Sequence, residues 1–318
     1  MPSILRALTA VAFISLGAPA FAQSWTERPY NPPVGSRWSI DTRADAEEQR
    51  AGGDQRTRQL RTRSELTIDE KLADGFRVSY VSREINISGT TPGNEIAEQA
   101  FGAMKGIVIR ARTDASGKPL VIENIDEVKA SMRTVIERMA AAFASKPQIA
   151  AFMRQLLESF LMVDAKAAAG LYMEDVPVLA AGQNTGLTPG SSRREAEEVP
   201  SPLVGAPVKS VLISRLTSWD NATGKARITR TREMDQEALR TATLAIVEKL
   251  VAASGDKDSA KIMEMLKQVS FNVETETFID VQDGMTRSIE DRTTTSASVM
   301  GQTFRKVEKK VVTVSRLK

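Results

Sequence analysis

The sequence predicts an α+β fold in which a large, curved antiparallel β-sheet of half-barrel shape is covered by amphipathic helices. Two observations carry this prediction. Segments with period-2 alternation, separated by turn residues, fill most of the chain. Between residues 125 and 172, apolar side chains recur at spacings of three and four in two successive stripes. The stripes comprise Val128, Met132, Val135, Ile136, Met139 and Phe143, then Ile149, Phe152, Met153, Leu156, Leu157, Phe160 and Leu161.

The first 22 residues have the three parts of a secretory signal peptide. Arg6 precedes an apolar run over residues 8–16, and small residues lead to Ala20-Phe21-Ala22. This pattern predicts cleavage after Ala22 and a protein of the periplasm or the extracellular space. No later stretch is long and apolar enough to span a bilayer, so we expect a mature protein that does not cross the membrane.

The alternating segments are expected to be strands over residues 34–40, 56–72, 76–88, 107–112, 120–123, 208–219, 225–232, 269–281, 285–298 and 303–316. Within residues 76–88 the apolar positions change parity, from Phe76, Val78 and Tyr80 to Val81, Ile85 and Ile87. A change of parity predicts a β-bulge in this strand.

Four regions follow from these elements. They are the signal peptide at 1–22, an N-terminal half at 23–181 with strands and then two amphipathic helices, a Pro/Gly-rich loop at 182–207, and a C-terminal half at 208–318. The C-terminal half holds a hairpin, two further helices over about 237–267 and the last strands. The turns at 114–118 and 221–225 share an Asp/Asn-Ala-Ser/Thr-Gly-Lys pattern. They indicate either a weak internal repeat of two halves within one sheet or the ordinary composition of turns.

The composition excludes several chemistries. The chain has no histidine and no cysteine, which removes Ser-His-Asp and Cys-His catalysis and the usual zinc sites. We therefore predict no enzymatic activity, no catalytic residues, no cofactor and no metal. The 43 basic and 40 acidic side chains nearly balance, so nucleic acid is not an expected partner.

Two groups of charged residues leave alternatives open. Arg56 and Arg58 belong to one face of a strand, and Arg61 and Arg63 belong to the other. They indicate a charged edge strand or a site for an anionic ligand. Glu274 and Glu276 share one strand face, which is compatible with a solvated surface or with part of a carboxylate pair.

The overall plan resembles a family of secreted bacterial proteins known only as a domain of unknown function. It comprises the signal peptide, the Pro33-Val34-Gly35 entry into a strand with Trp38, long hairpins and a helical insert. More distantly, it resembles periplasmic half-barrel carriers of lipoproteins and lipids. In those carriers an apolar cavity lies between a curved sheet and its helices, so the resemblance implies a similar cavity here.

Three functions remain open at this point. The first is binding of a lipid or another hydrophobic or amphipathic ligand between sheet and helices, with Phe143, Phe152, Met153, Leu157 and Phe160 as pocket candidates. The second is an envelope structural or interaction module with a solid core and a protein partner. The third is a glycan hydrolase that uses two carboxylates.

Overall fold

A computed structural model describes most of the chain. The described residues are 25–49, 55–90, 94, 98, 105–142, 158, 161–173, 175–183, 185–199, 208–238, 240, 241, 244, 270–299 and 302–318. The predicted signal peptide and all five apolar pocket candidates lie outside them, as does most of the helix pair predicted over 237–267.

The described elements are eleven strands, two α-helices and one 3₁₀ helix. The strands are β1 Arg37–Gln49, β2 Gln55–Lys71, β3 Gly75–Gly89, β4 Val108–Asp114, β5 Pro119–Ile122, β6 Ser192–Val199, β7 Val208–Asp220, β8 Lys225–Met234, β9 Ser270–Gln282, β10 Met285–Val299 and β11 Gln302–Leu317. The helices are α1 Ile125–Ala142, α2 Ala165–Tyr172 and the 3₁₀ helix Val176–Ala180. None of the described helices is long and apolar enough to span a membrane.

All eleven strands belong to one open sheet in the order β5-β4-β3-β2-β1-β11-β10-β9-β8-β7-β6, and every pair is antiparallel. The first and last strands meet in the middle, where β1 pairs with β11 over the whole length of β1. The sheet edges are β5 and β6. A large antiparallel sheet is therefore confirmed.

One face of the sheet, which we call the core face, carries the buried apolar side chains. Ile40, Leu66, Ile228 and Ile279 are at most 1% exposed on this face. The opposite face, the wet face, carries cross-strand ion pairs such as Arg63 Nε to Asp41 Oδ1 at 2.7 Å. Strands that alternate between apolar and polar residues produce this division, because successive side chains point to opposite faces.

The apolar part of the core face is concentrated at one end of the strands, the capped end. The turns between β2 and β3, β4 and β5, β7 and β8, and β9 and β10 all lie at this end. A crossing segment, made of the described residues 165–173, 175–183 and 185–187, covers it. Its buried side chains Ala168, Ala169, Met173, Val176 and Leu179 belong to the same apolar cluster as the strand residues.

The crossing segment has a topological cause. The strands β1–β5 build outward to one edge, and β6 starts at the other edge, ten strand spacings or roughly 48 Å away along a flat sheet. The chain must travel this distance, and it does so over the core face. Asp164 starts α2 by accepting hydrogen bonds from the backbone N–H groups of Lys166 and Ala167.

The N-terminal strap, residues 25–33, closes the capped end. Tyr30 is buried and packs edge-on against Phe76, with ring centroids 5.6 Å apart. Glu27 accepts the backbone N–H of Thr185 at 3.0 Å, and Arg28 forms an ion pair with Asp283. The strap thus joins the crossing segment to the hairpin turns.

Burial raises the pKa of the Tyr30 phenol, which therefore stays neutral in the capped end.

The structure corrects three expectations and confirms a fourth. The expected cover by amphipathic helices is not borne out. The described cover of the core face consists of the short α2, the 3₁₀ helix and loop, whereas α1 contacts the sheet at β4, next to the edge strand β5. β6 lies inside the segment 182–207 that was expected to be a loop. The edge-strand interpretation of the arginines is wrong, since β2 lies between β1 and β3.

The predicted bulge in β3 is confirmed. The register shifts where Arg63 faces Glu84 and Ser64 faces Ser82, which leaves Arg83 as an extra residue. This insertion shifts the parity of the strand by one residue, so that the odd-numbered Ile85 and Ile87 lie on the core face together with the even-numbered Tyr80.

Candidate ligand-binding cleft

The candidate site is a half-open cleft on the core face, next to the apolar capped end. Its volume is about 480 Å³. This falls in the range of roughly 300–1,000 Å³ that is typical of small-molecule sites. Strands β1 and β6–β11 contribute its lining, and Ala181 of the crossing segment closes one side.

The cleft arises where the side chains on the core face change abruptly from apolar to polar along the strands. The last apolar row across the core face is Ile228, Ile279, Ile289 and Val312, on β8, β9, β10 and β11. Two residues further along each strand toward the opposite end, the same face carries Arg230, Thr277, Asp291 and Lys310. We call this second row the charged row.

A third row follows after two more residues. It consists of Arg232, Thr275, Thr293 and Glu308. The hydroxyl groups of Thr275 and Thr293 lie 3.2 Å apart and hydrogen-bond across the strand pair. The floor of the cleft is therefore made of threonines, and charged side chains surround it.

Six charged side chains line the cleft, three of each sign: Arg230, Arg232, Lys310, Glu197, Asp291 and Glu308. Arg232 donates from Nε and Nη2 to the same Glu197 oxygen, at 3.2 and 3.1 Å. The opposite charges keep the cleft close to neutral, so it is not built to concentrate ions of a single sign.

Arg230 is the most buried of these charges. Its Nη2 donates to the carbonyl of Ala181 at 2.7 Å, which ties the charged row to the crossing segment. Burial lowers the pKa of Arg230, and the nearby carboxylates of Glu197, Glu195 and Asp291 oppose that shift. The guanidinium remains charged at neutral pH, because its ordinary pKa is far above 7.

Three buried polar atoms at or beside the cleft lack a hydrogen-bond partner among the described residues. They are Arg230 Nε in the lining, Thr42 Oγ1, two positions before the lining residue Ala44 on β1, and Ser210 Oγ, which lies opposite the lining residue Glu197. An unsatisfied buried polar group costs about 1–3 kcal/mol. Several such atoms around one cavity are typical of a place that a polar ligand or water occupies.

The charged row continues into an apolar surface on the other side of the sheet centre. From Lys310 the register leads to Ala44 on β1, Leu60 on β2 and Ile87 on β3. Ala44 and Leu60 are partly exposed, whereas Ile87 at the end of this row is buried. Together with Ala46 and Ile85 on the same face, these residues form what we call the tail patch.

The charged residues singled out in the sequence lie elsewhere. Glu274 and Glu276 are exposed on the wet face of β9, away from the cleft. Arg56 and Arg58 belong to the core face and Arg61 and Arg63 to the wet face, as their alternation predicted. Arg63 forms ion pairs with Asp41 and Glu84, so it is a cross-strand partner on the wet face.

Sequence reasoning missed the residues of the charged row. A signal was present, because in β8, β10 and β11 the alternating apolar positions give way to charged ones partway along the strand. Only the register shows that these changes occur at the same level and so form one cleft.

Metal binding gains no support from the described part of the chain, where no group of three acidic, histidine or cysteine side chains is arranged to hold an ion.

No protein-family model matches the chain, and no curated protein matches it. Among solved structures, the chain is similar to lipovitellin, in a structure concerned with lipid–protein interactions, with a TM-score of 0.43 and 8% identity over 89% of this chain. The aligned part is 25% of the lipovitellin chain, so this protein spans a quarter of that one. A second similarity is to an outer-membrane channel from Pseudomonas putida F1, with a TM-score of 0.18 and 5% identity over 90% of this chain and 97% of the channel. Neither similarity carries an argument for function.

Proposed function

We propose that this protein is an exported, non-enzymatic carrier that binds an amphipathic ligand on the core face of its sheet. The polar head of the ligand would occupy the cleft, and its apolar tail would lie on the tail patch. The periplasm is the proposed location, on the basis of the signal peptide pattern in residues 1–22.

The observation that carries this proposal is a single row of residues that crosses the sheet. It begins with Arg230, Thr277, Asp291 and Lys310 and continues with Ala44, Leu60 and Ile87, all on one face. The three strand spacings from Lys310 to Ile87 cover about 14 Å. A charged surface that becomes apolar over this length matches a molecule with a polar head and an alkyl chain.

The cleft also has features that a purely structural role does not need. Charged residues on the core face of a sheet cost desolvation energy, whereas apolar residues at the same positions would add to the core. Charged residues at positions where packing favours apolar ones are expected at functional sites.

The test is a binding measurement on the purified mature chain, residues 23–318. A fluorescent fatty acid is displaced by lauric acid and by lysophospholipids, and native mass spectrometry determines the stoichiometry. We expect one ligand per chain. Leu60→Gln should weaken binding by about tenfold, because a buried leucine contributes roughly 1.5–3 kcal/mol.

Arg61→Gln is the matched control, since Arg61 is the next residue along β2 and faces the other side of the sheet. Its affinity should equal that of the wild type. If no amphipathic compound binds, and a protein partner is captured reproducibly from the envelope, the structural or interaction module is the better description.

A further inference from the structure

The chemistry of the head group can be inferred from the charges of the cleft that have no partner. Three of the six charged side chains, Arg232, Glu197 and Glu308, already have an ion-pair partner. Arg232 is held by Glu197, and Glu308 forms an ion pair with Lys306 at 2.7 Å. These pairs leave Arg230, Asp291 and Lys310 for a ligand.

Lys310 is partly engaged. Its Nζ lies 4.0 Å from Oδ1 of Asp175, and the other oxygen of Asp175 accepts a hydrogen bond from Tyr80 at 3.4 Å. The ammonium of Lys310 is therefore directed toward the crossing segment, and the charges that remain are one cation and one anion.

Arg230 and Asp291 are that cation and anion. The Nε of Arg230 is buried and has no hydrogen-bond partner in the described part of the chain, while Nη2 donates to the carbonyl of Ala181. Asp291 makes no hydrogen bond or ion pair with any other described residue. Arg230 and Asp291 thus both line the cleft, and neither forms an ion pair with a described residue.

Their separation fits a small dipolar group. Arg230 is on β8 and Asp291 on β10, with Thr277 of β9 between them in the same row. Two strand spacings place their backbones about 10 Å apart. A group that carries a negative and a positive charge a few bonds apart can therefore lie above Thr277 and contact both side chains.

The assignment of the two charges follows from side-chain chemistry. A guanidinium binds phosphate oxygens through its Nε and terminal N–H groups, and a carboxylate accepts hydrogen bonds from an ammonium. The hydroxyls of Thr275, Thr277 and Thr293 can complete the contacts. A ligand with only a negative charge would repel Asp291 and leave it without a partner. A ligand with only a positive charge would repel Arg230 and leave it without a partner.

We propose that the cleft recognises a zwitterionic phosphate–ammonium group, with the phosphate at Arg230 and the ammonium at Asp291. This inference rests on the proposed function, because the same ligand would place its alkyl chain on the tail patch. The group can come from a lipid head or from a free phosphoammonium compound, and the experiment separates these sources.

The experiment measures the affinities of four probes by isothermal titration calorimetry with the mature chain. They are a lysophosphatidylethanolamine with a twelve-carbon chain, dodecyl phosphate, lauric acid and free phosphoethanolamine. We expect the zwitterionic lipid to bind about 10- to 100-fold more tightly than dodecyl phosphate, the factor that a hydrogen bond to a charged group contributes.

Variants assign the two contacts. Asp291→Asn should remove the preference for the zwitterion and leave dodecyl phosphate binding in place. Arg230→Gln should weaken both phosphate ligands, and Arg230→Lys should restore part of that binding because it keeps the charge. Glu290→Gln is the control, since Glu290 is the neighbour of Asp291 on the wet face and pairs with Lys309 there.

The outcomes are distinguishable. If amphipathic compounds bind but Asp291→Asn keeps the zwitterion preference, the head-group assignment is overturned while the proposed function stands. If free phosphoethanolamine binds as tightly as the lipid, the assignment stands and the carrier function is overturned. If none of the four probes binds, both are overturned. Circular dichroism and thermal unfolding establish that each variant is folded.

Discussion

The capped end and the cleft are neighbouring regions of one sheet face, and they are built from the same strands. Ile279 is 1% exposed in the capped end, and Thr277, two residues away on β9, lines the cleft. The capped end is apolar and is closed by the crossing segment and the N-terminal strap. The cleft is polar, partly open and has unsatisfied atoms. The comparison shows that one strand can belong to the buried core along part of its length and line a polar cleft along the rest.

Substitution of Ile279 should have the largest effect and provides the most direct test of this comparison. Ile279→Ala removes a fully buried side chain from the last apolar row, and we expect a loss of about 2–5 kcal/mol in the free energy of unfolding. Thr277→Ala, on the same strand and face, should change it by less than about 0.5 kcal/mol.

Urea denaturation monitored by circular dichroism measures both values. Equal losses for the two variants would contradict the division of the core face into a stabilising region and a binding region.

Gly182 tests how tightly the crossing segment lies on the capped end. A Cβ atom at Gly182 would come 2.2 Å from Cγ2 of Val281. Because this contact is far too short, Gly182→Ala should destabilise the protein by about 1–3 kcal/mol. The measurement is the midpoint of thermal or urea unfolding.

Gly170→Ala is the matched control in the same segment. A Cβ atom there meets nothing within 4 Å, and Gly170 lies inside α2. We expect a gain of about 0.5–1 kcal/mol, because alanine favours the helix. Destabilisation of similar size in both variants would indicate that the segment is held loosely.

The smallest effect is expected on the wet face, where Glu65 accepts hydrogen bonds from Arg83 and Arg37, each at 3.0 Å. The hydrogen bond from Arg83 is the main reason that the pKa of Glu65 is lowered. A carboxyl whose pKa is lower in the folded state stabilises the fold above its unfolded pKa of about 4.3, and this contribution is lost as the pH falls through the folded value.

Glu65→Gln should therefore cost about 0.2–1 kcal/mol at pH 7, and the difference from the wild type should disappear as the pH falls through the folded pKa of Glu65. Urea denaturation at several pH values measures this difference. Glu276→Gln, at an exposed acid of the same face, is the control, and its free energy of unfolding at pH 7 should equal that of the wild type. A pH-independent difference for Glu65→Gln would contradict the ion-pair explanation.

The sequence predicted individual strands well and their arrangement less well. Clean alternation identified β9 and β10, and the parity change in β3 correctly predicted a bulge. β6 was missed, because its residues Ser-Arg-Arg-Glu-Ala-Glu-Glu-Val carry no alternating apolar positions. Its strand conformation depends on pairing with β7, which is a tertiary interaction.

The candidate site was harder to predict from the sequence than the strands were. The sequence placed the ligand among Phe143, Phe152, Met153, Leu157 and Phe160, and these residues lie outside the described part of the chain. The cleft uses charged residues such as Arg230 and Asp291, which resemble ordinary solvated positions when each strand is considered alone.

The sequence by itself determined ten of the eleven described strands, the turns between them and the apolar side of each, because these properties depend on neighbours within a few residues. The tertiary structure decided that β1 pairs with β11, that β2 is internal and that four strands change from apolar to polar or charged residues at one level. Register between distant strands sets these features, since it depends on how the whole core face packs beneath the crossing segment.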